Sequence, residues 1–96
     1  MRKFEDKKTE IKDGEKTLKY SDLIKYCLEK APLQGLNLDQ MRKNMKLLDR
    51  FESMKSGKLE LDEFEWNNIK NAVNAFPWAM VHKDIVALGD YIDAMK

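Results

Sequence analysis

Acid–base and nucleophilic chemistry needs a base within reach of a nucleophile, and this chain offers few residues for either part. His82 is the only histidine and Cys27 the only cysteine. Lys83 and Asp84 follow His82, but no Cys/His cluster exists to supply zinc ligands. His82 therefore reads as a helix-start or surface residue. Cys27 falls between Ile24 and Leu28 on an expected buried face, where a thiol is a small, inert core residue. Ser21, Ser53 and Ser56 sit in capping or turn contexts without a glycine elbow, and there is no phosphate-cradling loop or dinucleotide fingerprint. The expectation is a non-enzymatic chain with no catalytic residue, no cofactor and no metal.

One stretch has the spacing of a cation site. Residues 52–63 place Gly57 sixth and Glu63 twelfth of twelve positions, with Leu59 eighth and Phe64 just beyond. This resembles the calcium loop of the EF-hand family. The donor set departs from it: Glu52 stands first, Met54 third, and Lys55 and Lys58 would add positive charge beside the ion. Calcium takes six to eight oxygen ligands, so the expected reading is a glycine helix stop followed by an acidic helical turn. A degenerate calcium loop is the minor alternative.

Arg42, Lys43, Lys46 and Arg50 form a basic stripe on a predicted helix. Preceded by a helix over 21–31 and the Pro32-Leu33-Gln34-Gly35 turn, the arrangement loosely resembles a helix-turn-helix, whose cations would meet phosphates. Asp39, Asp49 and Glu52 share that helix and can neutralise part of the charge. Binding of DNA or RNA through these four residues is the alternative function. The net charge of +1 argues against strong nonspecific nucleic-acid binding.

The connector Phe76-Pro77-Trp78-Ala79-Met80 carries large amphipathic side chains that fit no single helical face. Trp78 either plugs the end of the fold or, with Phe76 and Met80, anchors a protein partner.

The elements that would position these residues follow from pattern. Asp13-Gly14 between two Lys-rich segments predicts a two-residue hairpin turn. Pairing Ile11 with Lys16, Thr9 with Leu18 and Lys7 with Tyr20 collects Ile11, Leu18 and Tyr20 on one face. Ser21 is the expected N-cap of a first helix burying Leu23, Ile24, Cys27 and Leu28. Asn37 is the expected cap of a second, reaching Met54 and burying Leu38, Met41, Met45, Leu48 and Phe51. Residues 58–61 are a short strand or the approach to the third helix, which buries Trp66, Ile69, Ala72, Val73 and Phe76 until Pro77 breaks it. The last helix carries Val81, Ile85, Leu88, Ile92 and Met95, with Gly89 available for close packing.

The expected fold is mainly α: a flexible charged lead-in over 1–7, then one domain over 8–96 made of a hairpin and a compact bundle of about four helices. Apolar residues at 43% and charged residues at 36% suit a globular chain, and no apolar run approaches the ~20 residues that span a bilayer. A single cysteine and no apolar leader point to the cytoplasm.

Over much of residues 8–95, the layout resembles small accessory proteins carried by bacterial viruses. It runs from the Asp-Gly hairpin into Thr17-Leu18-Lys19-Tyr20-Ser21-Asp22-Leu23, then a helix from Gly35-Leu36-Asn37-Leu38, then Gly57-Lys58-Leu59-Glu60-Leu61 before the final helices. The resemblance implies a factor that binds a host or viral protein. The leading expectation is thus a non-enzymatic protein-binding or regulatory module, with self-association as a variant and no membrane partner.

Overall fold

The structure, a computed structural model, describes residues 2–30, 35–54, 56–78 and 81–95. The element order is β1 (Arg2–Glu5), β2 (Lys8–Asp13), β3 (Lys16–Lys19), α1 (Tyr20–Glu29), α2 (Leu38–Glu52), β4 (Lys58–Leu61), α3 (Glu63–Ala75) and α4 (Lys83–Asp93). Two antiparallel ribbons, β1–β4 and β2–β3, accompany the four helices. The fold is therefore α+β, which corrects the expectation of a mainly α hairpin-plus-bundle.

The correction comes from both ends of one ribbon. The segment expected as a flexible lead-in is strand β1, with Phe4 opposite Leu59 and Arg2 opposite Leu61. Only Phe4 among its four residues is apolar, so no alternation announces it, yet Phe4 is fully buried. Its ring meets Phe51 edge-on at 5.4 Å and Tyr91 at 6.1 Å. Before β4 the chain turns through two left-handed residues, Ser56 at φ 61° and Gly57 at φ 68°. The Gly57 carbonyl accepts the Asp6 N–H at 2.7 Å, locking that turn to the β1–β2 link.

The hairpin forms with a different turn. Asp13 pairs with Lys16, leaving Gly14 and Glu15 as the central residues. Positive φ at Gly14 alone fits a type II′ turn, not the expected Asp-Gly I′ turn. A bulge between Lys8 and Lys12 then restores the expected register at the far end, where the Tyr20 N–H donates to the Lys7 carbonyl. Thr9 fills the bulge: its hydroxyl donates to the Leu18 carbonyl at 2.8 Å and accepts the Ile11 N–H at 3.1 Å. Ile11, Leu18 and Tyr20 are buried together, as the alternation requires.

Helix α1 begins one residue before the expected cap. Asp22 accepts the Lys19 N–H at 2.9 Å, while Ser21 turns to Asp6, which accepts both its N–H (2.9 Å) and its hydroxyl (2.6 Å). Leu23, Ile24, Cys27 and Leu28 are buried. Asn37 does cap α2, accepting the Gln40 N–H, and Asp62 with Glu65 closes a capping box at α3. His82 caps α4 through Nδ1, which accepts the Asp84 N–H at 3.0 Å.

Two core assignments are corrected. Leu38, Met41 and Met45 are 60%, 44% and 59% exposed; α2 buries Phe51 as expected, but with Asn44 and Leu47 in place of those three. Val81 lies in front of α4 and is exposed, whereas Leu88, Ile92 and Met95 are buried. Gly89 makes no close packing, since a Cβ there would meet nothing within 4 Å. α2 and α3 both pack on α1, and α3 also packs on α4. Among the described residues no helix is long and apolar enough to cross a membrane.

Candidate functional site

Because α2 and α3 share α1 as support, a gap opens between them, and polar side chains bridge it. Gln40 and Asn44 lie one turn apart on α2, and Asn68 faces them from α3. The Gln40 amide donates to Asn44 Oδ1 at 3.0 Å and to Asn68 Oδ1. Asn68 Nδ2 donates to Asn44 Oδ1 at 2.9 Å, and Asn44 Nδ2 donates to the Leu28 carbonyl at 3.3 Å. Three carboxamides thus form a closed triad anchored to the C-terminal end of α1. Among the described residues no buried side-chain nitrogen or oxygen is left wholly without a hydrogen-bond partner, the triad's atoms included.

A cavity of about 190 Å³ lies on one side of this triad. Cys27, Ala72, Phe76 and Pro77 supply apolar surface, Asn71 adds a fourth amide, and exposed Lys30 stands among the lining residues. On the other side a more open trough of about 430 Å³ runs between Lys43, Lys46 and Leu47 of α2 and Phe64 and Asn67 of α3. Phe64 is 88% exposed. Burial pushes the Cys27 thiol up to about 12, so it is a neutral, unreactive wall and not a nucleophile.

Trp78 buttresses this site. Its indole N–H donates to the Val73 carbonyl at 3.3 Å, and its ring lies 4.6 Å from that of Phe76. Both residues are half-buried against the core. Met80, the third member of the expected anchor, lies outside the described residues.

The basic stripe is divided. Arg50 is drawn inward, pairing with Glu65 and donating to the Glu60 carbonyl at 2.6 Å. Lys43 pairs with Asp39 at 3.2 Å. Arg42 and Lys46 are exposed on α2 and make no ion pair among the described residues. They flank the exposed Leu38, Met41 and Met45, so the outer face of α2 is an apolar stripe edged by cations.

The calcium-like spacing is used otherwise. Glu63 accepts from Arg2 Nε at 2.9 Å and Asp62 caps α3, so both carboxylates are turned away from a shared centre. Arg2 also lies 3.7 Å over the Trp66 ring, whose N–H donates to the Ile92 carbonyl at 2.9 Å.

The residues that sequence reading missed are Gln40, Asn44, Asn68 and Asn71. Their signal was present: amides at i, i+4 on one helix and i, i+3 on the next occupy single faces. A search for apolar stripes passes over them. Comparison with known proteins finds no matching family model, curated protein or solved structure.

Proposed function

We propose that this chain is a non-enzymatic protein-binding module that docks an acidic, amphipathic segment of another protein on the outer face of α2. The carrying observation is the solvent-facing stripe Leu38, Met41 and Met45, bordered by the exposed Arg42 and Lys46, which make no ion pair among the described residues. Among the described residues these three large apolar side chains take no part in the core. Methionine suits such a surface because its flexible thioether adapts to a partner's shape. The adjacent cations give the matching surface its sign: apolar, with carboxylates beside it.

Protein binding is favoured over nucleic acid because the stripe intended for phosphates is half consumed. Arg50 and Lys43 are paired, and Asp39 and Asp49 remain on the same exposed face. The resemblance to viral accessory proteins is in keeping with a host or viral partner. A lone buried cysteine, with no disulfide to form, suits the cytoplasm.

The test compares capture from bacterial lysate by wild type, by Met45→Glu on the stripe, and by Val86→Glu on exposed α4. A single nuclease-resistant protein held by wild type and Val86→Glu but lost by Met45→Glu supports the reading. Equal capture by all three removes it. Capture that vanishes with nuclease and with Arg42→Gln/Lys46→Gln puts nucleic acid in its place. Concentration-dependent mass in light scattering, abolished by Met45→Glu, identifies a second copy as the occupant.

A further inference from the structure

We propose that the amide-walled cavity beneath α2 is a nucleotide site that takes an adenine base, with its 5′-phosphate directed to Lys30. The site is separate from the docking face: Gln40 and Asn44 lie on the side of α2 turned towards α1 and α3, roughly 100° round the helix from the exposed Met41 and Met45.

Size restricts the ligand first. At about 190 Å³ the cavity is smaller than the roughly 300 Å³ from which drug-sized pockets begin, which leaves room for one flat heterocycle. Its polarity restricts the ligand further. Among the described residues, Lys30 is the only ionisable lining residue apart from the neutral thiol of Cys27, and none is a carboxylate. The interior is electrically neutral but rich in hydrogen-bonding groups, and the charge that accompanies it is positive. A neutral base carrying an anionic phosphate has that distribution.

The open valences choose among neutral ligands. Gln40 commits both amide hydrogens to the triad and keeps its carbonyl. Asn44 and Asn68 each donate one hydrogen within the structure and retain the other. The exposed side chain of Asn71 makes no hydrogen bond among the described residues. Asn71, with carbonyl and amide both uncommitted, therefore offers the pattern a carboxamide presents to adenine, accepting from N6 and donating to N7, while the Gln40 carbonyl stands among the same lining residues. Because the triad is bonded internally, Gln40, Asn44 and Asn68 are held in place before a ligand arrives. The flat faces of Phe76 and Pro77 supply apolar cover, and Trp78 fixes Phe76 from behind.

The experiment is a titration of the 15N-labelled full chain with adenosine 5′-monophosphate, read at the side-chain amide signals of Asn44, Asn68 and Asn71. The expected result is saturable shifts at these amides, with affinity reduced about tenfold or more by Asn71→Leu. Ribose 5-phosphate should leave the amide signals unmoved. Absence of saturable shifts with the nucleotide overturns the proposal. Equal shifts with ribose 5-phosphate also overturn it, because lysine would then be holding phosphate alone. A short oligoadenylate that binds far more tightly than the mononucleotide identifies a single strand as the source of the base. If Asn71→Leu loses its folded spectrum, Ala75→Trp, at an exposed lining position, should block the same shifts. Met45→Glu should leave nucleotide binding intact, so failure of the docking reading and failure of this one are separable.

Discussion

Cys27 lies beside the amide triad with its thiol out of water, and its folded pKa is raised from 9.0 to about 12 by that burial. An acid with a raised folded pKa keeps its proton longer in the native state than in the unfolded chain. Its stabilising contribution is complete below pH 9 and is lost as pH rises from 9 towards 12. Wild-type unfolding free energy should therefore fall more steeply than that of Cys27→Ala between pH 9 and 11, by about 1.4 kcal/mol per unit at most. Parallel pH profiles in urea titrations would show that the thiol is not desolvated. Gly89 permits an opposite change. It sits inside α4 without positive φ, and an added Cβ meets nothing. Gly89→Ala should stabilise the domain by up to about 1 kcal/mol, raising Tm by several degrees. A lower Tm would mean that the helix uses glycine's freedom.

At the scale of elements, Asp6 joins three parts that are distant in sequence. Its carboxylate takes the Ser21 N–H and hydroxyl, while its own N–H reaches the Gly57 carbonyl. Replacing Asp6 by Ala should cost about 1–3 kcal/mol, because it strands donors at the start of α1. Asp6→Asn should recover part of that loss, since its amide oxygen can still accept one bond. Chemical denaturation of the two variants checks the order. Such a joint is invisible in a linear pattern, because nothing local to Asp6 names Ser21. Helix existence was legible from three-four spacing, and Asn37 announced its cap by residue type, whereas Ser21 did not take the cap expected of it. The rotation of α2 was not. Leu38, Met41 and Met45 have the spacing of a core stripe, but Gln40, Asn44, Leu47 and Phe51 share the same period on a neighbouring face. Periodicity fixes a helix and leaves its phase to whichever face finds partners. Here amides bonded to Asn68 and to the Leu28 carbonyl won that face. The groove was illegible for the same reason: it depends on two helices standing apart on a third.

At the scale of the whole molecule, the chain closes on itself through β1. Arg2 ties the first strand to α3 through Glu63 and Trp66, and to the end of the chain through the Met95 carbonyl. The Tyr91 hydroxyl accepts the Glu5 N–H at 2.8 Å, adding α4 to the same junction. Phe4 stands at its centre, fully buried between Phe51 of α2 and Tyr91 of α4. A domain of this length holds only about 5–15 kcal/mol of net stability, and truncating a buried Phe costs about 3–5 kcal/mol. Phe4→Ala should thus remove a large share of the stability although it changes one side chain in a four-residue strand. Losing the ring also loosens the ribbon that holds β4, whose Leu61 is fully buried and precedes the cap of α3. The disturbance should spread to the α2–α3 groove, with weaker hydrogen-exchange protection in β4 and the first turn of α3 than in α1. Lys3→Ala, on the exposed position beside it, should leave both stability and exchange unchanged. If Phe4→Ala behaves like Lys3→Ala, the β1–β4 ribbon is not part of the cooperative core, and the chain is held by its helices and hairpin alone.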